Sequence, residues 1–225
     1  MKRSVVLCII CLGALAAIGF GFAKWSDSAA VEAVAQSGEM KWGFVDVWQL
    51  DDGADWHSEM SGGMLEPFPD PEGKDVGSTQ LELQDRNGDG ADDTLVVTVN
   101  NAYPCYYNEV SATVENLGTI PLVIQHPVIC WGSEQQEIED GVVYYLCSDG
   151  SIVRDPGAMP DDAVIEVQYQ DNIGAQQHPG SENQLQEGFD FHVLQAAAES
   201  STYRFAFTVE GVQWNESPVA AGSVR

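Results

Sequence analysis

The stretch STYRFAFTVE, residues 201–210, alternates large apolar side chains with polar ones. Successive side chains of a β-strand point to opposite faces, so alternate residues share a face. The large apolar residues of this stretch fall on one face: Tyr203, Phe205, Phe207 and Val209. The pattern therefore predicts a strand with one buried and one solvated face, as in an antiparallel sheet.

The same alternation recurs between turn residues along the rest of the chain. It marks candidate strands at Met40 to Trp48, Thr79 to Gln84, Leu95 to Val99, Val110 to Val114, Ile120 to Gln125, Val142 to Cys147, Ile165 to Tyr169 and Phe189 to Val193. About nine strands without an amphipathic helix predict an all-β fold. The expected architecture is a two-layer antiparallel β-sandwich of jelly-roll or immunoglobulin-like type, because two half-apolar sheets bury each other's faces. Residues 51–78 are acidic and rich in Gly and Pro, which predicts a long surface loop inserted in this domain.

The N-terminus has the three-part layout of a secretory signal. Met1-Lys2-Arg3 is followed by an uncharged apolar run from Val5 to Ala23. Small residues at Gly21 and Ala23 predict cleavage after Ala23, with a retained membrane anchor as the alternative. The predicted division is a signal peptide at 1–23, an N-terminal segment at 24–38 and a sandwich domain at 39–225.

The 225-residue chain is strongly acidic, with 35 Asp and Glu against 9 Lys and Arg and a formal net charge of −26. Such a chain is repelled by nucleic acid and by anionic lipid surfaces, and it attracts cations. We therefore expect no nucleic-acid partner, and contact with a membrane only through an uncleaved leader. Together with the export signal, this composition predicts a secreted, extracellular or cell-surface protein.

Cysteine usage leaves the disulfide pairing open. Cys8 and Cys11 lie within the leader, and three cysteines follow it: Cys105, Cys130 and Cys147. Three thiols outside the cell permit one disulfide and one free thiol, and all three pairings are compatible with the sequence.

Residues 85–93, DRNGDGADD, have the oxygen spacing of a calcium loop. Side-chain oxygens stand at positions one, three, five and nine, a backbone carbonyl stands at position seven, and a glycine at position six allows the sharp turn. The predicted Ca²⁺ ligands are Asp85, Asn87, Asp89, the Ala91 carbonyl and Asp93. Position twelve is Val96 instead of Glu, so the loop is not an EF-hand. A metal-free acidic turn is the alternative.

No arrangement of catalytic residues is visible, so the chain is not predicted to be an enzyme. No zinc-ligand spacing connects the four histidines, His57, His126, His178 and His192, and there is no nucleophile elbow. Aromatic side chains can stack on sugars, and Trp56 and Trp131 are the candidates for this role because they lie in polar stretches that are typical of loops.

The start of the mature chain resembles that of proteins processed by the SipW-type signal peptidase. In that group an aromatic-Ser/Asn-Asp cluster follows the cleavage site, as Trp25-Ser26-Asp27 does here. NAYP at 101–104, VENLGTIP at 114–121 and the ending from Thr202 to Glu216 are also similar to surface proteins of this group, which includes TasA-like biofilm matrix proteins and camelysin. The resemblance implies an exported jelly-roll sandwich.

The resemblance to the TasA-like branch and its archaeal pilus relatives also implies self-assembly. In donor-strand complementation, the segment after the cleavage site leaves its own subunit and completes a sheet of the next one. The matching segment runs from about Lys24 to Gly38, with Val31 and Val34 as candidate anchors.

The predicted function is therefore that of a secreted or cell-surface structural protein, the subunit of an extracellular matrix fibre or pilus. Its expected partners are identical subunits and, during export, a SipW-type signal peptidase. The alternatives are a camelysin-like surface metalloendopeptidase and a monomeric polysaccharide-binding module.

Overall fold

The chain divides into two units, residues 1–37 and residues 38–225. The computed structural model describes residues 2–21, 37–50, 56–61, 64–69, 77–155, 157–171, 176–180 and 184–216. For residues 2, 17–21, 56–61 and 64–69 it describes the backbone alone.

The first unit contains one helix, α1, at Lys2–Gly21. The apolar side chains that the structure describes in this helix are exposed, among them Val5, Leu7 and Ile9. In the part of the chain that the structure describes, no helix has both the length and the apolarity needed to cross a membrane. The predicted cleavage after Ala23 and most of the predicted donor segment at 24–38 lie outside the described residues.

The second unit is built of antiparallel strands. The described strands are β1 Trp42–Gln49, β2 Trp56–Ser61, β3 Met64–Pro69, β4 Ser78–Gln84, β5 Thr94–Ala102, β6 Tyr107–Asn116, β7 Leu122–Ile124, β8 Val128–Trp131, β9 Glu134–Glu137, β10 Val143–Cys147, β11 Ile152–Arg154, β12 Ala163–Asp171, β13 Leu185–Val193, β14 Ser201–Thr208 and β15 Gly211–Gln213. A short 3-10 turn follows at Trp214–Glu216.

Two sheets carry most of these strands. The larger one has six strands in the order β1-β6-β13-β12-β10-β11, and the smaller one has five in the order β4-β5-β14-β8-β9. Two-stranded pairings of β7 with β15 and of β2 with β3 complete the described ladders. Many neighbours in the sheets are distant in sequence, as when β14 pairs with β5, so the fold depends on long-range pairing.

The core lies between the two large sheets. Phe189 of β13 and Phe207 of β14 stack with their ring centroids 3.9 Å apart. Phe191 and Phe205, each two residues away on the same strands, make an edge-to-face contact with their ring centroids 5.6 Å apart. Full burial of a phenylalanine stabilises a fold by about 1.5–3 kcal/mol, so these facing aromatic rings hold the layers together.

This arrangement confirms the predicted all-β class and its sandwich-like packing of antiparallel sheets. Each of the nine stretches predicted from alternation contains a strand. The stretch at 51–78, predicted to be a loop, contains the hairpin β2–β3. Four further strands, β8, β9, β11 and β15, were not predicted.

The three cysteines of the sandwich are all free thiols. Cys147 is buried, and Cys105 and Cys130 are partly buried. Burial raises the pKa of the Cys147 thiol, with the nearby charges of Asp162 and Asp149 adding to the shift. The disulfide that the sequence permits is therefore absent among these residues.

Candidate functional site

The predicted calcium loop connects β4 to β5 at one end of the smaller sheet. Asp85 directly follows β4, and Thr94 begins β5. The N–H of Asp93 donates to the Gln84 carbonyl at 3.1 Å and closes the base of the loop. Gly88 and Gly90 have φ values of 79° and 82°, a left-handed conformation that glycine adopts without strain. The five predicted ligands therefore lie in one tight loop.

The first three ligand positions use their side-chain oxygens to hold the loop's own backbone. Asp85 accepts hydrogen bonds from the N–H groups of Gly88 at 2.7 Å and Gly90 at 2.8 Å. Asn87 accepts from the N–H of Asp89 at 2.9 Å, and Asp89 accepts from the N–H of Ala91 at 2.8 Å. The Gly90 hydrogen bond is the largest of the effects that lower the pKa of Asp85.

Asp93 has a different environment from the other predicted side-chain ligands, because it is buried at the base of the loop. Its Oδ1 accepts from the Arg86 N–H at 3.2 Å and from the Thr94 hydroxyl at 2.8 Å. Its Oδ2 accepts from the Asn87 N–H at 3.1 Å. Both carboxylate oxygens are thus occupied in anchoring the loop to the start of β5.

A lysine that no sequence pattern predicted lies against this loop. The Lys41 ammonium donates a hydrogen bond to the Asp89 carbonyl at 2.6 Å. Its positive charge also contributes to the lowered pKa of Asp85. In the described part of the chain, no three His, Cys, Asp or Glu side chains converge in a way that could hold a metal ion. Calcium binding at this loop therefore stays a prediction.

The edge strand β1 is the second candidate site. Val45 and Leu50 are exposed there, and Trp48 is 46% exposed. Val47 instead packs against the core, so Trp48 points to the outer face of the larger sheet. An exposed tryptophan between two exposed aliphatic residues is an unusual concentration of apolar surface on so acidic a chain.

The backbone just before β1 continues the sheet edge. The N–H of Thr119 donates to the Glu39 carbonyl at 2.9 Å, and the N–H of Leu117 donates to the Lys41 carbonyl at 2.9 Å. The N–H of Glu39 also donates to the Thr119 hydroxyl at 2.8 Å. Residues 39–41 are therefore fixed beside the end of β6, and the segment before them joins the domain at this edge.

The tryptophans selected for sugar stacking do not form a joint surface. Trp131, predicted to lie in a loop, belongs to β8, and its indole N–H donates to the Cys147 carbonyl at 2.8 Å. Its ring also contacts Tyr203 at a centroid distance of 6.1 Å, so it packs within the sandwich. Trp56 lies in β2, where the backbone alone is described. Among the tryptophan side chains that the structure describes, Trp48 is the exposed one.

Comparison with known proteins adds no further assignment. No protein-family model, no curated protein and no solved structure matches this chain. The resemblance to proteins processed by the SipW-type peptidase therefore rests on the short segments quoted above.

Proposed function

We propose that the chain is an exported cell-surface structural protein whose subunits assemble by strand addition. The donor is the N-terminal segment 24–38, and the acceptor is a sheet edge of another subunit. Strand addition joins main-chain hydrogen bonds with apolar side chains that enter the partner, so it suits a protein with exposed sheet edges.

The observation that carries this proposal is the attachment of the segment to the domain. Residues 39–41 are hydrogen-bonded beside β6 and run directly into the edge strand β1. The segment therefore precedes residues that are fixed at a sheet edge. The apolar surface of Val45, Trp48 and Leu50 lies along that strand.

The expected contribution of the donor segment can be stated as an affinity. Val31 and Val34 are three residues apart, and each contributes roughly 1.5 kcal/mol if it becomes fully buried. Loss of both would cost about 3 kcal/mol, which weakens an association by about 150-fold.

Electron microscopy of the mature chain, residues 24–225, tests the proposal. Filaments are expected from this protein and not from a chain that begins at residue 39. The double variant Val31→Asp, Val34→Asp should shift assembly to much higher protein concentration. The matched control, Ser28→Asp with Gln36→Asp, adds the same charge to polar positions of the segment and should still assemble. Monomers at every concentration of the mature chain would refute the proposal, as would equal assembly by both double variants.

Export is tested separately by locating the protein in its own cells. The surface or extracellular fraction should contain a chain whose N-terminal residue is Lys24. A cytosolic protein that retains Met1 would contradict export without bearing on the fold.

We also propose that the loop 85–93 binds Ca²⁺ when the ion is abundant. In support, the loop is already curved around its carboxylates, and Asp85 is exposed with a lowered pKa, so it is ionised at neutral pH. Binding would require Asp85 and Asp89 to exchange backbone N–H partners for the ion, and Lys41 to move away. Calcium at about 100 times its Kd would stabilise the domain by about 2.7 kcal/mol. An unfolding temperature that is the same in calcium and in EDTA would refute this site, and Asp89→Ala should abolish any difference that is found.

A further inference from the structure

A pair of acidic side chains lies inside the sandwich, away from the loop and the edge strand discussed above. Glu187 belongs to β13 and lies in the alternating set that faces the core, together with Leu185, Phe189 and Phe191. It is 3% exposed. Asp171 ends β12 and stands directly opposite Glu187 in the antiparallel register. Its side chain is 4% exposed, so two carboxyl groups share one buried location.

The surroundings of Glu187 supply little compensation for a negative charge. No Lys or Arg of the described chain forms an ion pair with Glu187, and its buried Oε1 has no hydrogen-bond partner there. On the other side of Glu187, β6 contributes the apolar Ala112. A charge on Glu187 would lose its hydration and lie beside a second acidic residue. The neutral form of Glu187 is therefore favoured while the site stays closed.

The other titratable groups at this site come from three elements. Tyr169 lies on the same face of β12, and the charges of Glu187, Asp171 and Asp140 add to the effect of burial in raising the pKa of its hydroxyl. The backbone N–H of Asp171 donates to the Asp140 carboxylate at 3.2 Å. The segment between β7 and β8 contributes His126, whose Nδ1 lies 3.4 Å from Oδ2 of Asp171.

We propose that Glu187 holds a proton opposite Asp171 that locks the end of the β12–β13 ladder, and that loss of this proton at alkaline pH loosens that end and the segment around His126. Glu187 keeps the proton, because its cross-strand neighbours, Asp171 and Ala112, place no cation beside it. Burial, followed by the charge of Asp171, raises the pKa of Glu187 to about 8.

The location explains why these two regions would loosen together. Asp171 and Glu187 are the last pair that the structure describes in the β12–β13 register. His126 is 41% exposed, so it covers the pair at the surface. The Gln125 N–H holds the same segment to the Glu210 carbonyl at 2.8 Å. A buried negative charge on Glu187 would push Asp171 outward toward His126.

The pH dependence has a defined sign. An unfolded glutamate releases its proton near its ordinary pKa of 4.5, whereas folded Glu187 keeps it until about 8. Between these values the folded state binds more protons than the unfolded state, so stability falls as pH rises through this interval. The folding equilibrium constant should decrease by about a thousand-fold from this group, and the site opens as the pH passes 8.

Three measurements on the complete domain test the proposal. In the wild type, carboxyl-carbon NMR should show one glutamate that titrates near pH 8, and the signal should be lost in Glu187→Gln, whose amide resembles the protonated acid in shape. Urea unfolding from pH 5 to 9 should show a flatter pH dependence for Glu187→Gln. The control Glu199→Gln removes the same charge from an exposed position and should keep the wild-type slope. Protection factors for amide hydrogen exchange, which correct for base catalysis, should decrease above pH 8 at residues 125, 126 and 168–171 in the wild type and in the control.

An ordinary glutamate titration, or equal slopes for the two variants, would overturn the proposal. So would stability at fixed pH that depends on added Na⁺, K⁺ or Ca²⁺ and is lost in Glu187→Gln, because a bound cation would then replace the proton.

Discussion

Replacing Asp93 by alanine should destabilise the domain whether or not calcium is present. Asp93 is buried and holds the Arg86 and Asn87 N–H groups, so its removal leaves two backbone donors without their acceptor. A donor left unpaired in a protein costs about 1–3 kcal/mol, and these two are partly buried, which favours the low end. The Thr94 hydroxyl keeps a partner in the Thr208 hydroxyl at 3.0 Å.

The expected loss is therefore about 2–3 kcal/mol, which corresponds to a decrease of about 4–12 °C in unfolding temperature for a domain of this size. Asp89→Ala is the matched control, because Asp89 is exposed and holds one N–H group, that of Ala91. It should cost about 1 kcal/mol or less in the absence of metal. Thermal unfolding followed by circular dichroism, once in EDTA and once in calcium, distinguishes an anchoring role of Asp93 from a role as a metal ligand. If the loss at Asp93 appears with calcium and vanishes in EDTA, the carboxylate is a metal ligand and the anchoring role is refuted.

Three further outcomes can be measured on the same protein. Trp42→Phe should cost about 1 kcal/mol in urea unfolding, because the indole N–H donates to the Val209 carbonyl at 3.0 Å; an unchanged midpoint would contradict this. Asp190→Asn should be more stable than the wild type above pH 6. Burial and then the charge of Glu109 raise the pKa of Asp190 from its ordinary value of 3.8 to about 6. The wild type therefore loses stability as the pH rises through this interval. Parallel pH profiles of the two proteins would show this explanation to be wrong. Without reductant, the unfolded mature chain should react with a thiol reagent at Cys105, Cys130 and Cys147. A single reactive thiol would instead show that the other two cysteines form a disulfide.

The sequence predicted most of the strands that are long enough to show a period of two. β13 buries alternate side chains, and the large apolar residues of β14 also alternate, so both repeats are visible in the sequence. Four strands that were not predicted, β8, β9, β11 and β15, have three or four residues. β2 and β3 have six residues each, but they lie in a stretch whose acidic, Gly- and Pro-rich composition predicted a loop. β9, with the sequence EQQE, is an edge strand without an apolar residue, and its assignment depends on pairing with β8. Pairing with a distant partner leaves no local signal in so short a segment.

In the candidate loop, the spacing of the residues was informative but the orientation of their side chains could not be predicted. The spacing places Asp85 and Asp93 in one turn, but it does not determine where each carboxylate points. Asp93 turns into the domain because it directly precedes Thr94, which is fully buried at the start of β5. The buried acid was detectable from the sequence, because Glu187 continues the inward phase of Phe189 and Phe191 by two residues. Its partner Asp171 was not detectable, because the register between β12 and β13 is a tertiary property.

Charge limits how subunits of this protein can meet. In the described part of a chain whose formal net charge is −26, Arg154 forms an ion pair with Glu139, and His126 contacts Asp171. Most carboxylates are therefore not neutralised locally, and subunits repel until their separation exceeds the screening length of about 8 Å at physiological salt. The segment 24–38 carries Lys24, Asp27 and Glu32, so its net charge is 1 − 2 = −1. Such a segment can approach an acidic subunit at small electrostatic cost, and its main-chain hydrogen bonds do not depend on charge. Assembly through this segment therefore brings less negative charge together than contact between the sheet faces of two subunits would.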